Sequence, residues 1–302
     1  MTELILHHYP LSPFAEKVRR VLAYKRLSWS SVEQPIMAPK PDLTPLTGGY
    51  RRIPVLQVGA DIYCDTALIL RVLERLHPIP TIFPPALAGV GGIVEDWADH
   101  RLFLQAVPSV VVALLDQLPA GFLDDRAAMT PAFSRDALLA AAPHARAQFL
   151  QSLDRLECQL GYGSFMLGGA FTAADAACYH PVWFQQHGGA LFEAVRARPA
   201  LSRWFDRVAA FEAKEIRTLD PQAALDIALA STPEAGESTC EPDGEFAPGA
   251  QITVVADDYG HERTVGTLAR LTPDEVVLHR HDSRVGDVAV HFPRTGYRLE
   301  RA

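Results

Sequence analysis

The sequence predicts an α/β domain, then an all-α domain, then a small all-β module. Three observations predict this. The first eighty residues alternate short apolar runs with one-sided apolar stripes, in the order β-α-β-β-β-α. From residue 87 to about 230 the apolar residues recur at helical spacing. Beyond residue 250 the period drops to two, with turn signals between short runs.

Leu4-Ile5-Leu6 is the apolar run of a buried strand, ending in His7-His8-Tyr9-Pro10. Phe14, Val18, Val21 and Leu22 share one helix face. Ser12 stands where a cap belongs, and Pro13 takes the first helical position, where its missing N–H costs nothing. Residues 28–33 form a second strand. Residues 34–52 hold four prolines and two glycines and read as a long loop. Residues 53–58 are a strand begun by proline. Gly59-Ala60-Asp61 turns the chain, and Ile62-Tyr63-Cys64 returns as the hairpin partner. Asp65 caps a helix that carries Ile69, Val72, Leu73 and Leu76 on one face.

Residues 77–86, with four prolines, are a linker. Val90, Ile93, Val94 and Trp97 then form a helical stripe that continues through Leu104, and Pro108 should kink or end it. Phe149, Leu153, Leu156 and Leu160 make a second stripe, closed by Gly161. Thr172 and Asp175 resemble a capping box with Asp in place of Glu. Leu201, Trp204, Phe205 and Val208 mark a further helix. Residues 231–249 read as a flexible linker. Ile252/Val254 and Val288/Val290/Phe292 then alternate, and about five short strands suggest an SH3-like barrel. The expected division is 1–78, 87–230, a linker at 231–249, and 250–302.

Composition narrows the function. Of 302 residues, 48% are hydrophobic and 21% charged, the balance of a folded globular chain. No run approaches the ~20 apolar residues of a membrane span, and the first residues lack the pattern of a secretory signal. A cytoplasmic protein with no membrane partner is expected. The four cysteines form no C-x-x-C pair, which argues against a zinc site or a dithiol centre. Cys158 and Cys178 fall in helical patterns and read as core residues. The net charge of −8 makes nucleic acid a poor partner. Residues 1–80, with ten Lys/Arg against seven Asp/Glu, are locally basic and suit a small anionic ligand.

Two helix N-termini in the first domain carry polar side chains, at Ser12 and at Asp65-Thr66. Such ends present free N–H groups and favour anions, a thiolate included. Locally, Ser12 reads as a helix cap. Its wider context changes that reading. The segment from Tyr9 to Arg19, then Arg52-Ile53-Pro54-Val55-Leu56, then Tyr63-Cys64-Asp65-Thr66, resembles the cytosolic glutathione S-transferase superfamily in order and spacing. The likeness covers roughly residues 3–78, and the helical stretch matches that family's second domain.

The resemblance implies a thioredoxin-like first domain that binds glutathione. Ser12 would hydrogen-bond the glutathione sulfur. Ile53-Pro54 matches the family's cis-proline dipeptide, whose backbone would pair with the cysteinyl backbone of the ligand. Asp65 and Thr66 would hold the γ-glutamyl group, and Arg52, with Lys40, would meet the glycyl carboxylate. The electrophile pocket would be walled by Leu11, Trp97, Arg101 and Leu104. Glutathione is then the co-substrate, no metal is needed, and a homodimer is implied. There are departures. Thr66 replaces the more usual serine, loop 40–51 lacks the common Asn-Pro, and most of the family lacks the β-module.

Serine where omega-like members have cysteine favours a transferase over a thiol exchanger. Cysteine would form a mixed disulfide; serine can only stabilise the thiolate, which then attacks a small hydrophobic electrophile. Two alternatives stay open. One is a non-catalytic protein of this fold that uses its β-module for a partner. The other is a glutathione-dependent isomerase or peroxidase. His279, His281 and His291 read as surface residues rather than a metal site.

Overall fold

The computed structural model describes residues 3–188, 190–234 and 246–302. Its strands are β1 (Ile5–His8), β2 (Ser28–Glu33), β3 (Val55–Val58), β4 (Asp61–Cys64), β5 (Glu215–Thr218), β6 (Gln251–Ala256), β7 (Arg263–Leu271), β8 (Glu275–Asp282), β9 (Gly286–Pro293) and β10 (Tyr297–Arg301). Its helices are α1 (Pro13–Tyr24), α2 (Thr44–Thr47), α3 (Thr66–Leu76), α4 (Ala88–Asp96), α5 (Phe103–Ala113), α6 (Phe122–Met129), α7 (Arg135–Leu160), α8 (Ala173–Phe184), α9 (Ala190–Arg196), α10 (Pro199–Ala209) and α11 (Pro221–Leu229). The chain divides into two units: residues 1–15, 28–72 and 215–302 in one, 16–27 and 73–214 in the other.

Among the described residues all ten strands lie in the first unit and form one sheet, in the order β10-β6-β7-β8-β9-β4-β3-β1-β2-β5. β1 runs parallel to β2 and antiparallel to β3, and β3 turns back into β4. This is the thioredoxin-like arrangement. The expected all-β module follows as β6–β10, and its strands continue that same sheet. β9 pairs in parallel with β4, Ile62 opposite Val290. At the other edge β5 pairs in parallel with β2, Trp29 opposite Ile216. Residues 215–230, read from sequence as part of the helical stretch, thus supply a strand and a helix to the first unit.

One core explains the fusion. Val55, Ile62 and Cys64 of the hairpin, Leu43, Leu46 and Tyr50 of the long loop, and Leu225 of α11 pack with Ile252, Leu278, Val290 and Phe292. β9 is buried from Val288 to Pro293 without the alternation read from sequence. Val288, Val290 and Phe292 on one face and Ala289 and His291 on the other are all buried, and a strand covered on both faces loses the period-two signal. The loop 34–52 is pinned from the module side. Arg284 donates to the Pro41 carbonyl and to Asp42, and Arg280 rests on Gly48, whose φ of +74° ends α2. The linker expected at 231–249 lies mostly outside the described residues, and so does Cys240.

In the second unit, Phe149, Leu153, Leu156 and Leu160 of α7 and Leu201, Trp204, Phe205 and Val208 of α10 are buried as expected. The capping box of α8 is present. Asp175 accepts from the Thr172 N–H and hydroxyl, each at 2.9 Å, and also from Trp204 Nε1. Three expectations need correction. Val90 and Ile93 are exposed, because α4 buries its Gly91 and Glu95 side instead. Of the two outcomes expected at Pro108, a kink or an end, the end does not occur; α5 runs through it to Ala113, after a π-helical turn at Trp97–Leu102. Cys158 is exposed on α7, while Cys178 is buried.

Candidate functional site

Strand register brings the sequence motifs to one end of the sheet. His7 lies opposite Val55, and Val55 opposite Cys64. The C-terminal end of β1, the N-terminal end of β3 and the C-terminal end of β4 are therefore neighbours. Ser12 follows the first, Ile53-Pro54 precedes the second, and Asp65-Thr66 follows the third. The same logic adds the module. Tyr63 pairs with His291 and Ala256 with Tyr297, so Tyr297 and the β6–β7 loop (residues 257–262) emerge at this end too.

Each motif has defined local geometry. Ser12 is 2% exposed, and its Oγ accepts from the Ala15 N–H at 3.2 Å, so its own hydrogen is left to donate elsewhere. The Ile53–Pro54 peptide is cis, as the resemblance implies. Ile53 makes no backbone hydrogen bond among the described residues, which leaves its N–H and C=O open. Asp65 holds φ +76°, a left-handed conformation that Asp tolerates better than most side chains. Its Oδ1 accepts from the Ala67 N–H at 2.8 Å, capping α3. Its Oδ2 accepts from the Tyr297 hydroxyl at 3.1 Å. Burial, with the Asp65 charge, holds the Tyr50 and Tyr297 phenols well above their ordinary range, so both stay protonated.

Arg52 stands two residues before Pro54. Its guanidinium donates to both carboxylate oxygens of Asp258 (Nη1 at 3.1 Å, Nη2 at 2.5 Å) and to the Tyr259 carbonyl, and lies 4.2 Å from the Tyr259 ring centroid. Lys40 is buried, its ammonium on the Pro35 carbonyl and 5.8 Å from the Tyr9 ring centroid. Tyr50, Asp258, Tyr259 and Tyr297 were missed as site residues. Asp258-Tyr259 reads locally as a turn, and only the doubled charge of Arg51-Arg52 hints at an acidic partner.

The remaining candidates fall as follows. Leu11 is exposed in the first unit. In the second, Trp97 is half-buried on the π-helical turn, and Arg101 and Leu104 are exposed. Cys64 is buried, and burial together with Asp65 pushes its thiol up, away from thiolate chemistry. His291 corrects the surface reading. It is buried between Asp61 (Nε2, 2.9 Å) and Glu275 (Nδ1, 2.8 Å), ties β9 to β4 and β8, and lies tilted against the Tyr63 ring, centroids 4.3 Å apart. Sequence reasoning also missed a buried ionic group in the second unit. The Lys17 ammonium meets Glu95 at 2.9 Å and Asp99 at 2.5 Å, and Asp99 also pairs with His180 at 3.0 Å. Burial would raise the Asp99 carboxyl, but Lys17 and His180 pull it down to about 2.

Comparison with known proteins bears on the whole chain. The glutathione S-transferase N-terminal domain family matches residues 6–81, and the C-terminal domain family matches residues 132–207. A GST-like protein from Pseudomonas syringae is 38% identical over 100% of both chains, with a TM-score of 0.82. That likeness includes the β-module. A glutathione S-transferase from Rhodospirillum rubrum is 22% identical over 68% of this chain and 88% of its own, at TM-score 0.56. One from Methylobacterium radiotolerans, solved with glutathione sulfonate, is 23% identical over 69% and 91%, at TM-score 0.52. The last two speak to the fold alone. Among curated proteins none matches. Two domain matches in order and one full-length relative lead to one conclusion: the chain belongs to the glutathione S-transferase superfamily.

Proposed function

We propose that the chain binds glutathione at this end of the sheet and activates its thiol for attack on a small hydrophobic electrophile. The convergence of Ser12, the open backbone at Ile53 and the α3 N-terminus at Asp65-Thr66 carries the reading. The cysteinyl backbone would add to Ile53 as a short strand. The γ-glutamyl carboxylate would sit at the N-terminus of α3, where free N–H groups favour an anion. The sulfur would face Ser12. A free thiol ionises near pH ~8.5, and a donated hydrogen bond stabilises its anion. The thiol proton passes to solvent. The thiolate forms a sulfur–carbon bond, and the leaving group departs with the electron pair.

Serine cannot form a mixed disulfide, and buried Cys64 is no substitute, which supports conjugation over thiol exchange. Leu11, exposed next to Ser12, is a proposed electrophile contact. Val90 and Ile93, exposed on α4, are proposed to meet a second copy in a homodimer. A cytoplasmic, detoxifying role accords with this chemistry.

Turnover of an activated aryl halide tests the mechanism. Ser12→Ala should lower kcat/KM roughly 100-fold, the scale of losing one donor aimed at an anion. Ser12→Thr, which keeps the hydroxyl, should recover part of it. Equal rates for wild type and Ser12→Ala would remove Ser12 from the mechanism. Ser12 also caps α1, so Ser12→Ala should cost about 1 kcal/mol of stability as well, and the melting curve separates the two effects.

A further inference from the structure

The β-module reaches Asp65 through one hydroxyl. Tyr297 opens β10 opposite Ala256 of β6, and its side chain is buried. It packs against two aromatic rings from separate elements. The ring centroid of Tyr50, on the long loop, lies 6.4 Å away, and that of Phe292, on β9, lies 5.3 Å away. The Tyr297 hydroxyl meets Asp65 Oδ2 at 3.1 Å and the Tyr50 hydroxyl at 3.4 Å.

Proton counting sets the direction of this chain. A carboxylate only accepts, so Tyr297 gives its single proton to Asp65. Tyr50 then donates to Tyr297. The order is Tyr50, Tyr297, Asp65, and each bond polarises the next. On its other oxygen Asp65 accepts from the Ala67 N–H at 2.8 Å. The carboxylate is held at both ends, so it cannot turn without breaking a bond. An ionised carboxylate has about four acceptor positions, so both oxygens can still accept from a ligand.

The α3 N-terminus begins beside this carboxylate. A helix N-terminus favours an anion, and a fixed carboxylate favours a cation. Side by side they fit a group that carries a carboxylate and an ammonium on one carbon, as the γ-glutamyl end does. We infer that Tyr297 is a positioning residue for that end: through Asp65 it aims a carboxylate at the ligand's α-ammonium. This rests on the glutathione-binding reading above. It gives the β-module a part in ligand recognition.

Calorimetric titration of the full chain with glutathione and with glutaryl-cysteinyl-glycine, which lacks only the α-amino group, tests it. Wild type should prefer glutathione by about tenfold or more, the scale of a charge-assisted contact. Tyr297→Phe should weaken glutathione binding about tenfold, the same scale, and leave the analogue within about twofold. Tyr50→Phe, one bond further out, should show the same pattern at about threefold, and it decides if Tyr297→Phe does not fold. A packing defect would weaken both ligands alike. Equal weakening, no change or tighter glutathione binding in the variant, or a wild type that binds both ligands alike, overturns the positioning role and leaves glutathione binding standing. A wild type that binds neither ligand overturns both.

Discussion

His7 and His291 show how two residues of the same type take opposite roles in one sheet. His7 is fully buried and bonded to Gln57 at 2.8 Å; burial outweighs that bond and lowers its pKa to about 4. Burial also works against a charged His291, but Asp61 and Glu275 outweigh it and raise the pKa. The signs follow. The stability from neutral His7 is complete above the ordinary value near ~6.5 and is lost as the pH falls toward about 4, by on the order of 3 kcal/mol. The stability from charged His291 is complete below ~6.5 and is lost as the pH rises through its raised value. Melting temperature should therefore fall on both sides of a maximum near neutral pH. His291→Gln should flatten the alkaline limb and leave the acid limb in place. An unchanged alkaline limb would show that the His291 bridge does not hold these strands. That Ser12, Ile53-Pro54 and Asp65-Thr66 each stand at a strand end is readable from sequence, because each sits in a local pattern there. Asp258 and Tyr297 are not readable, since their partners lie 206 and 232 residues away.

At the scale of elements, the helices place their charges where periodicity gives no warning. Lys17 on α1 is fully buried against Glu95 of α4 and Asp99 of the π-helical turn. That burial also explains Val90 and Ile93: α4 turns Glu95 inward to meet Lys17, and the apolar stripe faces out. Lys17→Met would strand two buried carboxylates and should cost about 3–5 kcal/mol. Adding Glu95→Gln and Asp99→Asn should recover part of that loss in chemical denaturation. A single-variant loss below about 1 kcal/mol would contradict the buried ionic group. The α8 cap was legible because a capping box is a four-residue pattern. The direction in which α4 faces was not, because a buried ion pair overrides apolar periodicity.

At the scale of the first unit, the all-β module is joined to the thioredoxin-like strands by hydrogen bonds and by a shared core. Truncation after residue 234 would strip β9 from β4 and uncover Val55, Ile62 and Leu225. An exposed apolar strand edge promotes association between chains, so the shortened chain should aggregate on expression. A soluble, monodisperse truncated protein with native helix content would contradict the joint core. The sequence legibly announces five short strands after residue 250. It does not announce their attachment, since the β4–β9 pairing depends on an edge that no local pattern describes. The central claim remains that this end of the sheet binds glutathione, and thermal unfolding with and without the tripeptide tests it most directly. At a glutathione concentration 100 times Kd, stabilisation should reach about 2.7 kcal/mol, a rise of several degrees in Tm that Asp65→Ala should reduce. No shift at millimolar glutathione would contradict the account.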